Sequence, residues 1–178
     1  MIIEALTAAM FAAAAWYYGE TVIFWSRVTL GSVLIVLFAI DLEHQLLPNV
    51  ITLPFILVGF AFSVFVEPGW PSSLIGMFVG GGSLLAMFYV WLWLRKQEAL
   101  GMGDPKMLAM IGAFLGWKMT ILTLVLASFS GSIVGVALIA SKRARMQSLI
   151  PFGCFLAVGA AIAATVGPAL LDWYLSYY

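Results

Sequence analysis

One stretch decides how this chain folds: GMGDPK at residues 101–106, which places a carboxylate where a long apolar run begins. Asp104-Pro105 is typical of a helix start, with Asp at the N-cap and Pro at the first helical position. A second carboxylate, Asp41, closes an earlier apolar run. The sequence around both acids indicates whether they can meet at one end of a helical bundle.

The composition indicates a membrane protein. Of the 178 residues, 64% are hydrophobic and only 9% are charged, whereas a soluble domain has about 25% charged residues. Apolar runs of nearly membrane-spanning length recur along the chain. Barrel strands alternate apolar and polar residues, and these runs do not, so we predict an all-α polytopic membrane protein with residues 1–178 as a single domain.

Charge and cysteine content exclude several other classes. The net charge is zero and there is no basic patch, so nucleic acid is not expected as a partner. Cys154 is the only cysteine, which excludes an internal disulfide and a zinc cluster built from cysteines. Neither a metal nor an organic cofactor is expected.

Seven transmembrane spans are predicted. The run from Lys106 to Ala140 would measure about 50 Å as one helix, too long for a hydrocarbon core of about 30 Å, so it is expected to turn near residues 116–118. The first residues, MIIE, lack the positive region of a signal peptide and are interpreted as part of the first span. Residues 80–82, three consecutive glycines, predict a site of close helix packing. The approximate spans are residues 2–18, 22–40, 50–66, 73–94, 105–115, 119–140 and 150–174.

The distribution of cationic residues predicts the orientation. With seven spans, the loops on one side hold six of the eight Lys and Arg residues: Arg95, Lys96, Lys106, Lys142, Arg143 and Arg145. Lys118 and Arg27 lie toward the other side. Because positive charge marks the cytoplasmic side, we expect a cytoplasmic N-terminus, with Asp41 and Asp104 both at the cytoplasmic face.

Two acids at one membrane level allow three interpretations. They could be structural, as an N-cap and a polar helix end; they could relay protons or bind cations in a small transporter; or they could form an aspartic dyad that shares one proton and activates water. Gly101 and Gly103 favour the dyad, because residues without side chains let a substrate backbone approach Asp104. The transporter remains the leading alternative, although the span interiors offer few polar residues beyond Ser and Thr.

Helix dipoles predict how a dyad would share its proton. Asp104 begins a helix, where negative charge is favoured, and Asp41 ends one, where it is disfavoured. The sequence therefore predicts the anion on Asp104 and the proton on Asp41.

Three blocks of the sequence resemble those of bacterial type IV prepilin peptidases, a family of GxGD membrane aspartic peptidases. IDLEHQLLPN at residues 40–49 resembles the first aspartate motif, and GMGDPKMLA at residues 101–109 resembles the second. IPFG at residues 150–153 resembles a Pro-Phe-Gly stretch of that family. The resemblance implies Asp41 and Asp104 as the catalytic pair, with Gly101, Gly103 and Lys106 as supporting motif residues.

The same resemblance implies a substrate and a location. Members of this family act in the bacterial inner membrane and remove a short basic leader from prepilin or pseudopilin precursors, in pilus assembly or type II secretion. The cut follows a glycine at the cytoplasmic face. Many members also have an N-terminal region with two CxxC pairs, tied to methylation of the new N-terminus. This sequence contains no such pairs, so peptidase activity without methyltransferase activity is expected.

Overall fold

A computed structural model describes residues 2–95, 101–141 and 151–176. The predicted orientation depends partly on Lys96 and on residues 142–145, which lie outside the described residues. Ile150, the first residue of the third motif, also lies outside them.

The described residues form helices and no strands, which confirms the all-α prediction. Three helices are long and apolar enough to cross a membrane, Val22–His44, Trp70–Leu94 and Asp104–Ala140. A bent pair near the C-terminus would make a fourth span. The seven helices of the described residues are α1 (Ile2–Tyr18), α2 (Val22–His44), α3 (Asn49–Ser63), α4 (Trp70–Arg95), α5 (Asp104–Ala140), α6 (Phe152–Thr165) and α7 (Gly167–Leu175).

The expected turn near residue 116 is confirmed as a break inside α5. Gly116 has φ 74° and ψ 172°, a backbone conformation outside the helical region that glycine adopts without the steric penalty of a side chain. The Thr120 hydroxyl donates a hydrogen bond of 2.7 Å to the Gly116 carbonyl. The long apolar run therefore changes direction where its length required it.

The predicted span over residues 150–174 is not one continuous helix. α6 and α7 are separate helices that meet at Val166 and are bent by 67°. Pro168 lies in the first turn of α7, where its missing N–H is tolerated. It could not have continued α6, because proline breaks a helix interior.

The core is built around the first part of α5. Met107, Leu108, Met110 and Ile111 are fully buried, and α5 packs against α4, α6 and α3. α2 packs against α6. As a result, the C-terminal end of α2 and the N-terminal ends of α5 and α6 lie together.

Glycines join α4 to α5. A Cβ atom on Gly112 would collide with the Gly76 carbonyl oxygen, and one on Gly76 would lie 2.7 Å from the Gly112 carbonyl oxygen. Gly80 and Gly81 also face α5, whereas a Cβ on Gly82 would meet nothing within 4 Å. Two of the three consecutive glycines therefore have the packing role predicted for them.

Replacing Gly112 by alanine is expected to lower the free energy of unfolding by about 1–3 kcal/mol, because the added methyl group overpacks this interface. Thermal unfolding in detergent measures the change. The matched control is Gly82→Ala, which should be neutral or stabilising, since alanine is the better helix former by about 0.5–1 kcal/mol. Equal stability of the two variants would contradict the close packing at Gly112.

Candidate active site

Asp41 lies in the last turn of α2, which runs about one turn past the end of the span predicted at residue 40. The helix continues to His44 and ends at Gln45, which has a left-handed backbone with φ 53° and donates its N–H to the Asp41 carbonyl over 2.9 Å. The Asp41 side chain is only 4% exposed. The carboxylate is therefore held within the bundle rather than in a solvated loop.

Asp104 is the first residue of α5 and not its N-cap, so the N-cap prediction is wrong. Gly103 occupies the N-cap position and makes no side-chain capping bond. The carboxylate of Asp104 interacts with the backbone N–H of Gly101 and is 6% exposed. With the cap position taken by glycine, this side chain is free to turn into the bundle.

The structure brings Asp41 and Asp104 together, as the sequence predicted. The two carboxylates are close enough to interact electrostatically, and the Cys154 thiol lies within range of both. Two buried acids this close are expected to share one proton, because a second charge would be strongly disfavoured. Their catalytic role stays a prediction.

The start of α6 holds the Asp41 carboxylate. The backbone N–H of Cys154 donates a hydrogen bond of 2.9 Å to Asp41 Oδ2, and the Gly153 backbone N–H also interacts with this carboxylate. A Cβ atom on Gly153 would lie 2.7 Å from Asp41 Oδ2, so the approach requires glycine. The helix N-terminus adds a favourable dipole for negative charge.

Sequence reasoning missed this contact. Pro151 before an apolar run is a signal for a helix start, and α6 does begin directly after it. Nothing in the local pattern says that this helix start faces an acid 113 residues away. The Cys154 side chain is buried, but it is the backbone N–H of this residue that reaches Asp41.

The two glycines of the second motif have different surroundings. Gly101 is exposed, and a Cβ on it would lie 3.7 Å from Asp104 Oδ2, so it leaves one side of Asp104 open. A Cβ on Gly103 would lie 2.6 Å from the Leu47 Cβ atom. The space beside Gly103 is therefore filled by Leu47 of the α2–α3 loop.

Lys106 joins two helix starts. Its Nζ donates a hydrogen bond of 2.7 Å to Asn49 Oδ1, and Asn49 is the first residue of α3. This bond ties the loop after Asp41 to the first turn after Asp104. Lys106 thus helps to hold the two acid-bearing segments in one arrangement.

These features define a class of protein. It is a polytopic helical membrane protein in which two buried carboxylates meet at the ends of two helices and a third helix directs backbone N–H groups at one of them.

Comparison with known proteins identifies the family. The model of the type IV leader peptidase family matches residues 28–136, more than half of the chain. This chain therefore belongs to the type IV leader peptidase family, which confirms the resemblance found in its motifs. No solved structure matches it.

Similar curated proteins carry the name prepilin leader peptidase/N-methyltransferase. The Pseudomonas aeruginosa protein is 33% identical over 99% of this chain and 61% of its own length. The Legionella pneumophila protein is 31% identical over 99% of this chain and 62% of its own length, and the Aeromonas hydrophila protein is 36% identical over 82% and 51%. The chain thus spans between half and two thirds of these relatives.

Proposed function

We propose that this chain is an aspartic endopeptidase that removes the leader from type IV prepilin or pseudopilin precursors, with Asp41 and Asp104 as its catalytic pair. The observation that carries the proposal is the meeting of two buried carboxylates at converging helix ends, where Gly101 leaves one side of Asp104 open. Family membership supports this function over the transporter alternative. The proposed reaction is peptidase chemistry alone, without methyl transfer.

We assign the charge to Asp41 and the proton to Asp104, the reverse of what the helix ends alone predict. Two backbone N–H groups at the start of α6 interact with the Asp41 carboxylate, whereas one, from Gly101, interacts with Asp104. A carboxylate that accepts several N–H bonds is favoured in its ionised form. A carboxylate-resolved infrared or neutron measurement that finds the proton mainly on Asp41 would contradict the assignment.

The proposed mechanism uses the ionised carboxylate of Asp41 and the protonated carboxyl group of Asp104. Asp41 takes a proton from water while the water oxygen attacks the scissile carbonyl carbon, and Asp104 donates its proton to the carbonyl oxygen. When the tetrahedral intermediate collapses, the C–N bond breaks and Asp41 passes its proton to the leaving amine. Asp104 recovers a proton from a hydroxyl of the intermediate, which returns the pair to its starting state.

The test is incubation of the purified protein in detergent with a purified prepilin that retains its leader. Mass spectrometry should find two products, a leader ending in glycine and a mature chain with a free, unmethylated amine. In water enriched in oxygen-18, the new leader carboxylate should gain the label. Intact precursor would contradict the proposed function, and methylation of the product in the presence of S-adenosylmethionine would contradict the restriction to peptidase chemistry.

We further propose that the catalytic pair faces the cytoplasm of the inner membrane. Lys106 follows Asp104 by two residues, and the sequence segments between α4 and α5 and between α5 and α6 are rich in Lys and Arg, as expected of a cytoplasmic surface. Met102 is 53% exposed beside Asp104, and Cys154 is buried, so Met102→Cys offers a selective probe. A membrane-impermeant maleimide should label it in inside-out vesicles, and labelling in intact spheroplasts instead would contradict the orientation.

A further inference from the structure

We propose that Leu47 determines the size of the substrate residue that precedes the scissile bond. This inference rests on the proposed peptidase function. It concerns the short loop between α2 and α3, which connects the Asp41 segment to the start of the next helix.

The two leucines of this loop have different environments. Leu46 is 68% exposed, whereas Leu47 is partly buried and packs against the hydrophobic core. The Leu47 Cβ lies 2.6 Å from the position that a Gly103 Cβ would take, and its Cδ1 lies 3.1 Å from the corresponding position at Gly153. The Leu47 side chain therefore fills the space between Gly103, which precedes Asp104 in the chain, and Gly153, which lies against the Asp41 carboxylate.

Leu47 borders the carboxylate pair itself. The position that a Cβ on Gly153 would take is 2.7 Å from Asp41 Oδ2 and 3.1 Å from Leu47 Cδ1. The Cδ1 methyl group of Leu47 and the carboxylate of Asp41 therefore lie on either side of one narrow gap. A peptide whose carbonyl carbon is attacked by water at Asp41 must place the residue that carries this carbonyl near this gap. A side chain on that residue would compete with Leu47 for space.

The loop is held at both ends, so Leu47 has a defined position. Gln45 ends α2 with a left-handed backbone. On the other side, Asn49 accepts the 2.7 Å hydrogen bond from Lys106. An apolar side chain fixed in this way acts as a steric limit, and a difference of one methyl group in such a place changes kcat/KM by about 10- to 200-fold.

The experiment compares two precursors that differ only in the residue before the cut, glycine or alanine. For the wild-type protein, kcat/KM should be much lower with the alanine precursor. In Leu47→Ala, the ratio of kcat/KM for alanine to that for glycine should rise at least about tenfold. Leu46→Ala is the matched control on the exposed neighbour and should leave the ratio unchanged.

The ratio separates a specificity role from a packing role. If Leu47 only packed the loop, shortening it would lower kcat/KM equally for both precursors. An unchanged ratio in Leu47→Ala would therefore overturn the proposal while leaving the peptidase function intact. If Leu47→Ala does not fold, Leu47→Val tests the same ratio with a smaller change, and an unchanged ratio there would overturn it equally. A wild-type protein that cleaves neither precursor would overturn the proposed function itself.

Discussion

Replacing either Asp41 or Asp104 by asparagine is expected to reduce precursor cleavage by at least about 10³-fold. General acid–base catalysis contributes about 10²–10⁴-fold, and asparagine can neither hold the transferable proton nor accept one from water. Asparagine has nearly the same shape, and its amide oxygen can still accept the Cys154 N–H bond in place of Asp41 Oδ2. The measurement is kcat/KM for a purified precursor, together with thermal unfolding in detergent.

The double variant should be no less active than either single variant, because residues that act as one unit are not additive. Asp172→Asn is the control: this acid lies in α7, whose first residue, Gly167, lies against Met119 and Leu122, and the variant should retain wild-type activity. Substantial cleavage by a folded Asp41→Asn or Asp104→Asn protein would disprove the dyad.

The second large effect is expected at Gly153. In Gly153→Ala the new methyl group would lie 2.7 Å from Asp41 Oδ2 and 3.0 Å from its Cγ, so the carboxylate or the start of α6 must move. A displacement of about 1 Å at a catalytic group can lower the rate about 10²-fold. We therefore expect kcat/KM to fall by about that factor, with a smaller change in the melting temperature than Gly112→Ala causes.

Gly131→Ala provides the control, since a Cβ on Gly131 would meet only the Phe155 ring at an ordinary 3.5 Å. It should keep both activity and stability. Wild-type activity in Gly153→Ala would mean that the start of α6 does not hold Asp41, and the assignment of the charge to this acid would lose its basis.

Patterns that depend on composition and length were predictable from the sequence. The apolar runs predicted the helices, and α1 covers the residues predicted for it. The break at Gly116 followed from the mismatch between a long apolar run and the thickness of a bilayer. The bend at Val166 was missed because the run through it is continuously apolar, although Gly167-Pro168 is a local signal for a helix boundary.

The candidate site was predictable only in part. Motif resemblance singled out Asp41 and Asp104, and the structure places them together. Gly103 was expected to make room for substrate, but Leu47 fills that space. Such contacts join segments far apart in the chain, and they depend on helix packing that no local pattern encodes.

The bond between Cys154 and Asp41 also governs when the site is complete during synthesis. Both acids are present once residue 104 has been made, yet the N–H groups that hold Asp41 belong to a helix that starts at Phe152. A nascent chain that ends between residues 104 and 152 has both carboxylates but lacks the N–H groups that hold Asp41. The ordered pair therefore forms only after the start of α6 has been made and inserted, so that a ribosome still translating α5 carries a site that is not yet assembled.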